Sequence, residues 1–125
     1  MDLNHITREI IDAAMKVHSK VGPGLLESAY LAFLRHELLK RGLRVRSEVR
    51  LPVEYDGVRI ACAYRLDLLV EESVPVELKA VGLLLPLHSA QLRSYLKLGD
   101  FRVGLLINVH VVRLKDVIER MVNRF

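Results

Sequence analysis

Asp67, nine intervening residues and then Glu77-Leu78-Lys79 place two carboxylates and an ammonium in two successive apolar runs. In the first run Asp67 has the parity opposite to Cys62, Tyr64, Leu66 and Leu68. In the second, Glu77 and Lys79 have the parity opposite to Val74, Val76, Leu78 and Ala80. Strand side chains repeat every two residues, so Glu77 and Lys79 emerge beside each other on one side of a sheet. If the runs pair through Glu71-Glu72-Ser73, Asp67 faces the same side close to Glu77. Charges gathered in an apolar sheet are costly to desolvate unless they pair or hold a metal. Carboxylate oxygens suit hard Mg²⁺ or Mn²⁺, which keep several waters and bind phosphates, and a nearby lysine can orient or deprotonate an attacking water. The strand pattern by itself fits a structural ion pair with Lys79 on a solvated face equally well.

The elements that must position these residues follow from periodicity. Ile6, Ile10, Ala13, Ala14 and Val17 predict an amphipathic helix over residues 5–20, ended by Gly22-Pro23-Gly24. Leu26, Ala29, Tyr30, Phe33, Leu34 and Leu38 predict a second, closing near Lys40-Arg41-Gly42, where basic residues suit the helix end and glycine suits a left-handed cap. From Val45 the period becomes two. Asp56-Gly57 is a hairpin signal, Val58 to Val70 repeats the alternation, and Val74 to Val81 completes a three-stranded antiparallel meander. Pro86 opens a helix with Leu87, Gln91, Tyr95 and Leu98 near one face and Gly99 as its stop. Phe101 to Asn108 reads as a strand covered on both sides, Val111 to Arg113 as an edge strand, and Leu114, Val117, Ile118, Met121 and Val122 as a terminal helix. The expected fold is α/β (α+β), a mixed central sheet flanked by helices in the order αα-βββ-α-β-(β)-α.

With 125 residues, 51% of them hydrophobic and 27% charged, the chain is expected to form a single globular domain over residues 1–125. No apolar run is long enough to span a bilayer and Met1-Asp2-Leu3-Asn4-His5 lacks a signal-peptide layout, so a cytoplasmic location is expected. Cys62 alone forms neither an internal disulfide nor a thiolate-rich zinc site and reads as a buried strand residue. A net charge of +4 fits a polyanionic partner. Arg65 suits a phosphate or a carboxylate such as Glu48 or Glu54, and the sequence leaves both open. The five histidines share no metal-ligand spacing, and only His18 and His88 lie near the candidate elements. Small size and an apolar terminal stripe lead to the expectation of a homodimer, with other protein partners undefined.

The Asp67 and Glu77-Leu78-Lys79 pattern after a hydrophobic strand resembles the PD-(D/E)XK phosphodiesterase superfamily, whose core has the element order read above. Gly24-Leu25-Leu26-Glu27-Ser28-Ala29-Tyr30 resembles the signature of the GxxExxY branch, and the likeness continues through Tyr64-Arg65-Leu66-Asp67, Val76-Glu77-Leu78-Lys79-Ala80 and residues 91–108. Arg65-Leu66 stands where the superfamily pattern has a proline before the aspartate. The resemblance implies a restriction-endonuclease-like fold and a Mg²⁺ or Mn²⁺ dependent nuclease acting on DNA or RNA. It implies that Asp67 and Glu77 are metal ligands, joined by the main-chain carbonyl of Leu78 and by Glu27, and that Lys79 activates water or stabilises charge. Gln91 and Tyr95 resemble a Gln-x-x-x-Tyr element that supports the site and contacts nucleic acid. The alternatives are Glu27 as a helix-start residue, Tyr30 and Tyr95 as packing, and a non-catalytic nucleic-acid-binding or assembly module that keeps the fold.

Overall fold

The computed structural model describes residues 2–113 and 118–123, the side chains of residues 61–63 excepted. Two expectations, Cys62 as a buried side chain and Leu114 and Val117 as helical, lie outside the described residues. Ile6, Ile10, Ala13, Ala14 and Val17 bury one stripe of α1 (Leu3–Val21), which Gly22 ends with φ 74°. In α2 (Glu27–Lys40) the buried positions are Tyr30, Leu34, Glu37 and Leu38. Gly42 (φ 84°) closes α2 as expected, with the Leu43 N–H donating to the Leu38 carbonyl. Tyr30 joins the two helices: its hydroxyl donates to the Ala14 carbonyl at 3.3 Å, and its ring lies 5.9 Å from that of the buried His18.

Among the described residues five strands form one sheet in the order β1 (Val45–Tyr55), β2 (Val58–Val70), β3 (Val74–Lys79), β4 (Val103–Asn108) and β5 (Ile118–Val122). The first three make the expected antiparallel meander. β3 and β4 are parallel, which requires a crossover, and α3 (Pro86–Gly99) supplies it. The sheet separates two layers. On one face α1 and α2 cover Leu68, Val70, Val74, Val76, Leu78, Leu105 and Ile107. On the other, α3 sets Leu92 and Leu96 on Leu106, and Tyr95 on Leu51, Leu66 and Leu69.

Gly104 allows α3 to approach β4. A Cβ there would stand 2.8 Å from Leu96 Cδ2, 3.2 Å from Leu92 Cδ1 and 3.3 Å from the Pro75 carbonyl. Gly104→Ala is therefore expected to destabilise the fold by about 1 to 3 kcal/mol through overpacking, despite the better strand propensity of alanine. Urea denaturation checks this; an unchanged midpoint would mean that the helix is not seated so closely.

Three expectations are corrected. Ile118, Met121 and Val122 lie in β5, not in a helix, and pair antiparallel with β4 through Ile107↔Ile118, Leu105↔Arg120 and Val103↔Val122. Their helix-like spacing is a property of a strand covered on both sides: Ile118 packs with the α1/α2 layer and Met121 with the α3 layer. The neighbours follow the same rule, since Arg120 Nη2 donates to Asn4 Oδ1 of α1 at 2.8 Å and Ser89 of α3 donates to Glu119 Oε2 at 2.7 Å. Ile118 and Met121 thus pack against the chain's own layers, while Val122 is exposed. Val111 to Arg113 forms no edge strand, because β5 already takes the open edge of β4. Finally, Leu66 and Leu68 share a parity but pack in different layers, so the alternation along β2 is reset between them, at Asp67. Among the described residues no helix is long and apolar enough to cross a membrane.

Candidate active site

The site begins at the turn that pairs β2 with β3. Glu71 and Glu72 both hold positive φ, 54° and 53°, at the centre of a tight turn in which the Ser73 N–H donates to the Val70 carbonyl at 3.0 Å. Arginines on the entry to β1 hold both glutamates. Glu71 Oε2 accepts from the Arg44 main-chain N–H at 2.6 Å, and Glu72 accepts two bonds from Arg46 at 2.7 and 2.8 Å. This fixes the register Val70↔Val74, Leu69↔Pro75 and Leu68↔Val76.

Beyond Leu68 and Val76 the ladder stops and side chains take over. The Asp67 N–H donates to Glu77 Oε1 at 3.1 Å, and the Leu78 N–H donates to Asp67 Oδ2 at 2.7 Å. Each carboxylate thus accepts a main-chain donor from the other's strand or its neighbour, and the two acids are held together where the strands part. Glu77 is only 5% exposed. Burial and then the charge of Asp67 push its carboxyl up to about 8 from an ordinary 4.5. Burial also raises Asp67, against the Leu78 N–H and the nearby Lys79. Two acids that resist ionisation so close together are a donor set short of positive charge.

Lys79, half-buried at the end of β3, supplies part of that charge and lowers Glu27, Asp67 and Glu77 alike. Glu27 opens α2 within electrostatic reach of Asp67 and Lys79, and its carboxyl is raised, first by burial and then by Asp67. A cleft of about 380 Å³ lies on this side, lined by Glu27, Ser28, Glu48, Arg65, Asp67 and the apolar Leu26 and Leu31. Arg65 reaches Glu48 at 3.9 Å with both side chains largely exposed, which settles the carboxylate it meets and makes the pair a weak one. Tyr95 approaches from α3: its ring lies 5.3 Å from that of Tyr64, and burial followed by the charge of Glu77 raises its hydroxyl. Gln91, one turn earlier on α3, is exposed.

The structure therefore brings together Asp67, Glu77 and Lys79, with Glu27 from the α2 side and Tyr95 from the α3 side. Among the described residues no three His, Cys, Asp or Glu side chains gather into a ready-made cation cage. The carboxylate core is the Asp67 and Glu77 pair. The chemistry of that pair fits a hard divalent ion, since such ions take few protein oxygens and keep their waters. His18 and His88 are engaged in helix packing and capping: His18 Nε2 lies 3.3 Å from the Val112 carbonyl, and the Leu85 N–H donates to His88 Nδ1 at 2.9 Å.

Three residues of the site were not singled out by spacing. Asn108, 1% exposed, pairs in register with Lys79; its amide donates to the Val81 carbonyl at 2.9 Å and its Oδ1 accepts from the Val81 and His110 N–H groups at 3.2 Å. It holds the chain as it leaves β3, and the sequence signal was a polar residue ending an otherwise apolar run. Tyr64 offers a half-exposed ring beside Tyr95. Glu48 lines the cleft from a left-handed backbone (φ 54°) for which the sequence carries no glycine signal.

The crystal structure of SSO0001 is similar in fold, with a TM-score of 0.62 at 19% sequence identity over 97% of this chain. This chain covers 61% of that one. No curated protein matches the sequence. The family model of the PD-(D/E)XK nuclease superfamily matches residues 4–121, a span that contains the two acids, the lysine and the elements that hold them, and the chain belongs to that superfamily.

Proposed function

We propose that this chain is a Mg²⁺ or Mn²⁺ dependent phosphodiesterase that cleaves DNA or RNA. One observation carries the reading: the half-buried Asp67 and the buried Glu77 are held together where β2 and β3 part, each oriented by a main-chain donor, with Lys79 acting on both. One oxygen of each acid accepts its N–H donor, which would leave the second to hold the ion. The main-chain carbonyl of Leu78 and the carboxylate of Glu27 would complete the set, directly or through water. When bound, the ion supplies Lewis-acid charge to the phosphate and lowers the pKa of a coordinated water.

The protein's own residues do the rest. Lys79 orients the water for in-line attack, in which the new P–O bond forms as the bond to the leaving sugar oxygen breaks and that oxygen takes a proton from solvent, and it offsets the negative charge that grows on the phosphoryl oxygens. Arg65, exposed at the cleft mouth and only weakly held by Glu48, is available to a backbone phosphate. Tyr95 and Gln91 support the α3 side of the substrate path. The superfamily and the net charge of +4 support a nucleic-acid substrate.

Calorimetric titration of Mg²⁺ and Mn²⁺ into wild type and Asp67→Ala, with thermal stability read alongside, tests the reading. Wild type is expected to bind and to gain stability with metal concentration, whereas Asp67→Ala does neither. Equal binding by both proteins would place the metal elsewhere. A wild type that binds no metal, with or without a nucleic-acid duplex present, would overturn the reading.

A further inference from the structure

The β1 and β2 ribbon changes faces part-way along. Val45, Leu68 and Val70 pack with the α1/α2 layer, whereas Val49, Leu51 and Leu66, of matching parity, pack beneath α3 with Tyr95. An uninterrupted ribbon keeps same-parity residues on one face, so this one is turned over between the two sets. The pairing shows where: Ser47↔Leu68 and Val49↔Leu66 share one register, and the intervening Glu48 and Asp67 are unpaired. No residue is inserted. Instead Glu48 adopts φ 54°, a left-handed conformation that L residues other than glycine and asparagine seldom hold inside a strand.

Asp67, directly opposite, is the residue whose N–H and carboxylate turn to Glu77 and Leu78 on β3. We propose that Glu48 is a positioning residue whose left-handed backbone turns the ribbon over and delivers Asp67 to Glu77. Its carboxylate is not taken as the cause, because its ion pair with Arg65 is long and exposed, at 3.9 Å. Glycine adopts this backbone freely and glutamine as readily as glutamate, whereas a β-branched residue resists it.

Three variants, Glu48→Gly, Glu48→Gln and Glu48→Val, separate backbone from side chain. Amide hydrogen exchange read by NMR is expected to show wild-type protection of the Asp67 and Leu78 N–H groups in the Gly and Gln variants. In Glu48→Val both amides should lose at least tenfold in protection while Leu105 to Ile107 in β4 stay protected. Mg²⁺ affinity should fall at least tenfold in the Val variant alone. The metal readout rests on the function proposed above and the amide readout does not, so a wild type that binds no metal leaves the positioning role standing on exchange. Undiminished protection in Glu48→Val would overturn it. So would loss of protection in Glu48→Gly with retention in Glu48→Gln, which would assign the role to the side chain and holds even if the Val variant does not fold.

Discussion

Replacing Lys79 by methionine is expected to slow nucleic-acid cleavage roughly 1,000-fold while the protein stays folded and still binds Mg²⁺. Methionine keeps most of the apolar stem of this half-buried side chain and removes only the ammonium. That ammonium lowers three carboxyls at once, Glu27, Asp67 and Glu77, so it sits where charge from a bound phosphate would add to theirs. The carboxylates proposed to bind the ion remain in Lys79→Met and lose only a competing positive charge. Metal affinity should therefore change by less than about tenfold at a pH where the acids are ionised. Single-turnover cleavage and calorimetry on the same preparations separate the two quantities. Cleavage by Lys79→Met at the wild-type rate would show that the lysine is a structural counter-charge and that the catalytic reading of β3 is wrong.

The approach of these three residues was legible because it depends on two simple rules, the two-residue period of a strand and the short turn at Glu71-Glu72-Ser73. The rules placed Asp67 beside Glu77 correctly but described the neighbourhood too regularly. A continuous alternation puts Leu66 and Leu68 on one face, whereas the structure puts them on two. Nothing in Ser47-Glu48-Val49 announces that change, since neither glycine nor proline marks it. The terminal strand was hidden for a different reason. Ile118, Met121 and Val122 are three and four residues from their neighbours in the stripe, which fits a helix, and only the open edge of β4 decides for a strand. That is a tertiary demand invisible to local spacing. Asn108 was readable in principle, as a lone amide closing five apolar residues, but its task depends on the parallel pairing of β3 with β4.

The site gathers from both sides of the sheet, and the chain order explains why. α2 precedes the meander and covers the face that holds Leu68 and Leu78, so its first residue, Glu27, comes to Asp67 from that side. α3 is the crossover between the parallel strands β3 and β4 and covers the other face, so Tyr95 meets Glu77 from there. The parting of β2 from β3 is what connects the two approaches. A ladder continued past Leu68 and Val76 would spend the Leu78 N–H on Leu66 and turn the Asp67 N–H toward β1, and the two acids would have no main-chain donors to orient them.

Holding two acids together without a full counter-charge makes the metal-free protein sensitive to alkali, and Glu77→Gln should relieve it. The Glu77 carboxyl is raised to about 8 from 4.5, so between those values the folded state binds more protons than the unfolded state. The stability this contributes is fully present below about pH 4.5 and is lost as pH rises through about 8, a loss on the order of 5 kcal/mol for a shift of this size. Asp67, also raised, adds in the same direction. The substituted amide has no proton to lose and still offers an oxygen to the Asp67 N–H, so the stability of Glu77→Gln should stay nearly flat from about pH 6 to about pH 9 while the metal-free wild type declines. Mg²⁺ should restore wild type at about pH 9, where both carboxylates are ionised and available as ligands, and do little for the variant. Denaturant melts of both proteins across that range, with and without saturating Mg²⁺, read all four curves. Parallel curves for wild type and Glu77→Gln would mean that the two acids are not a strained pair, and the case for a cation between them would lose its physical basis.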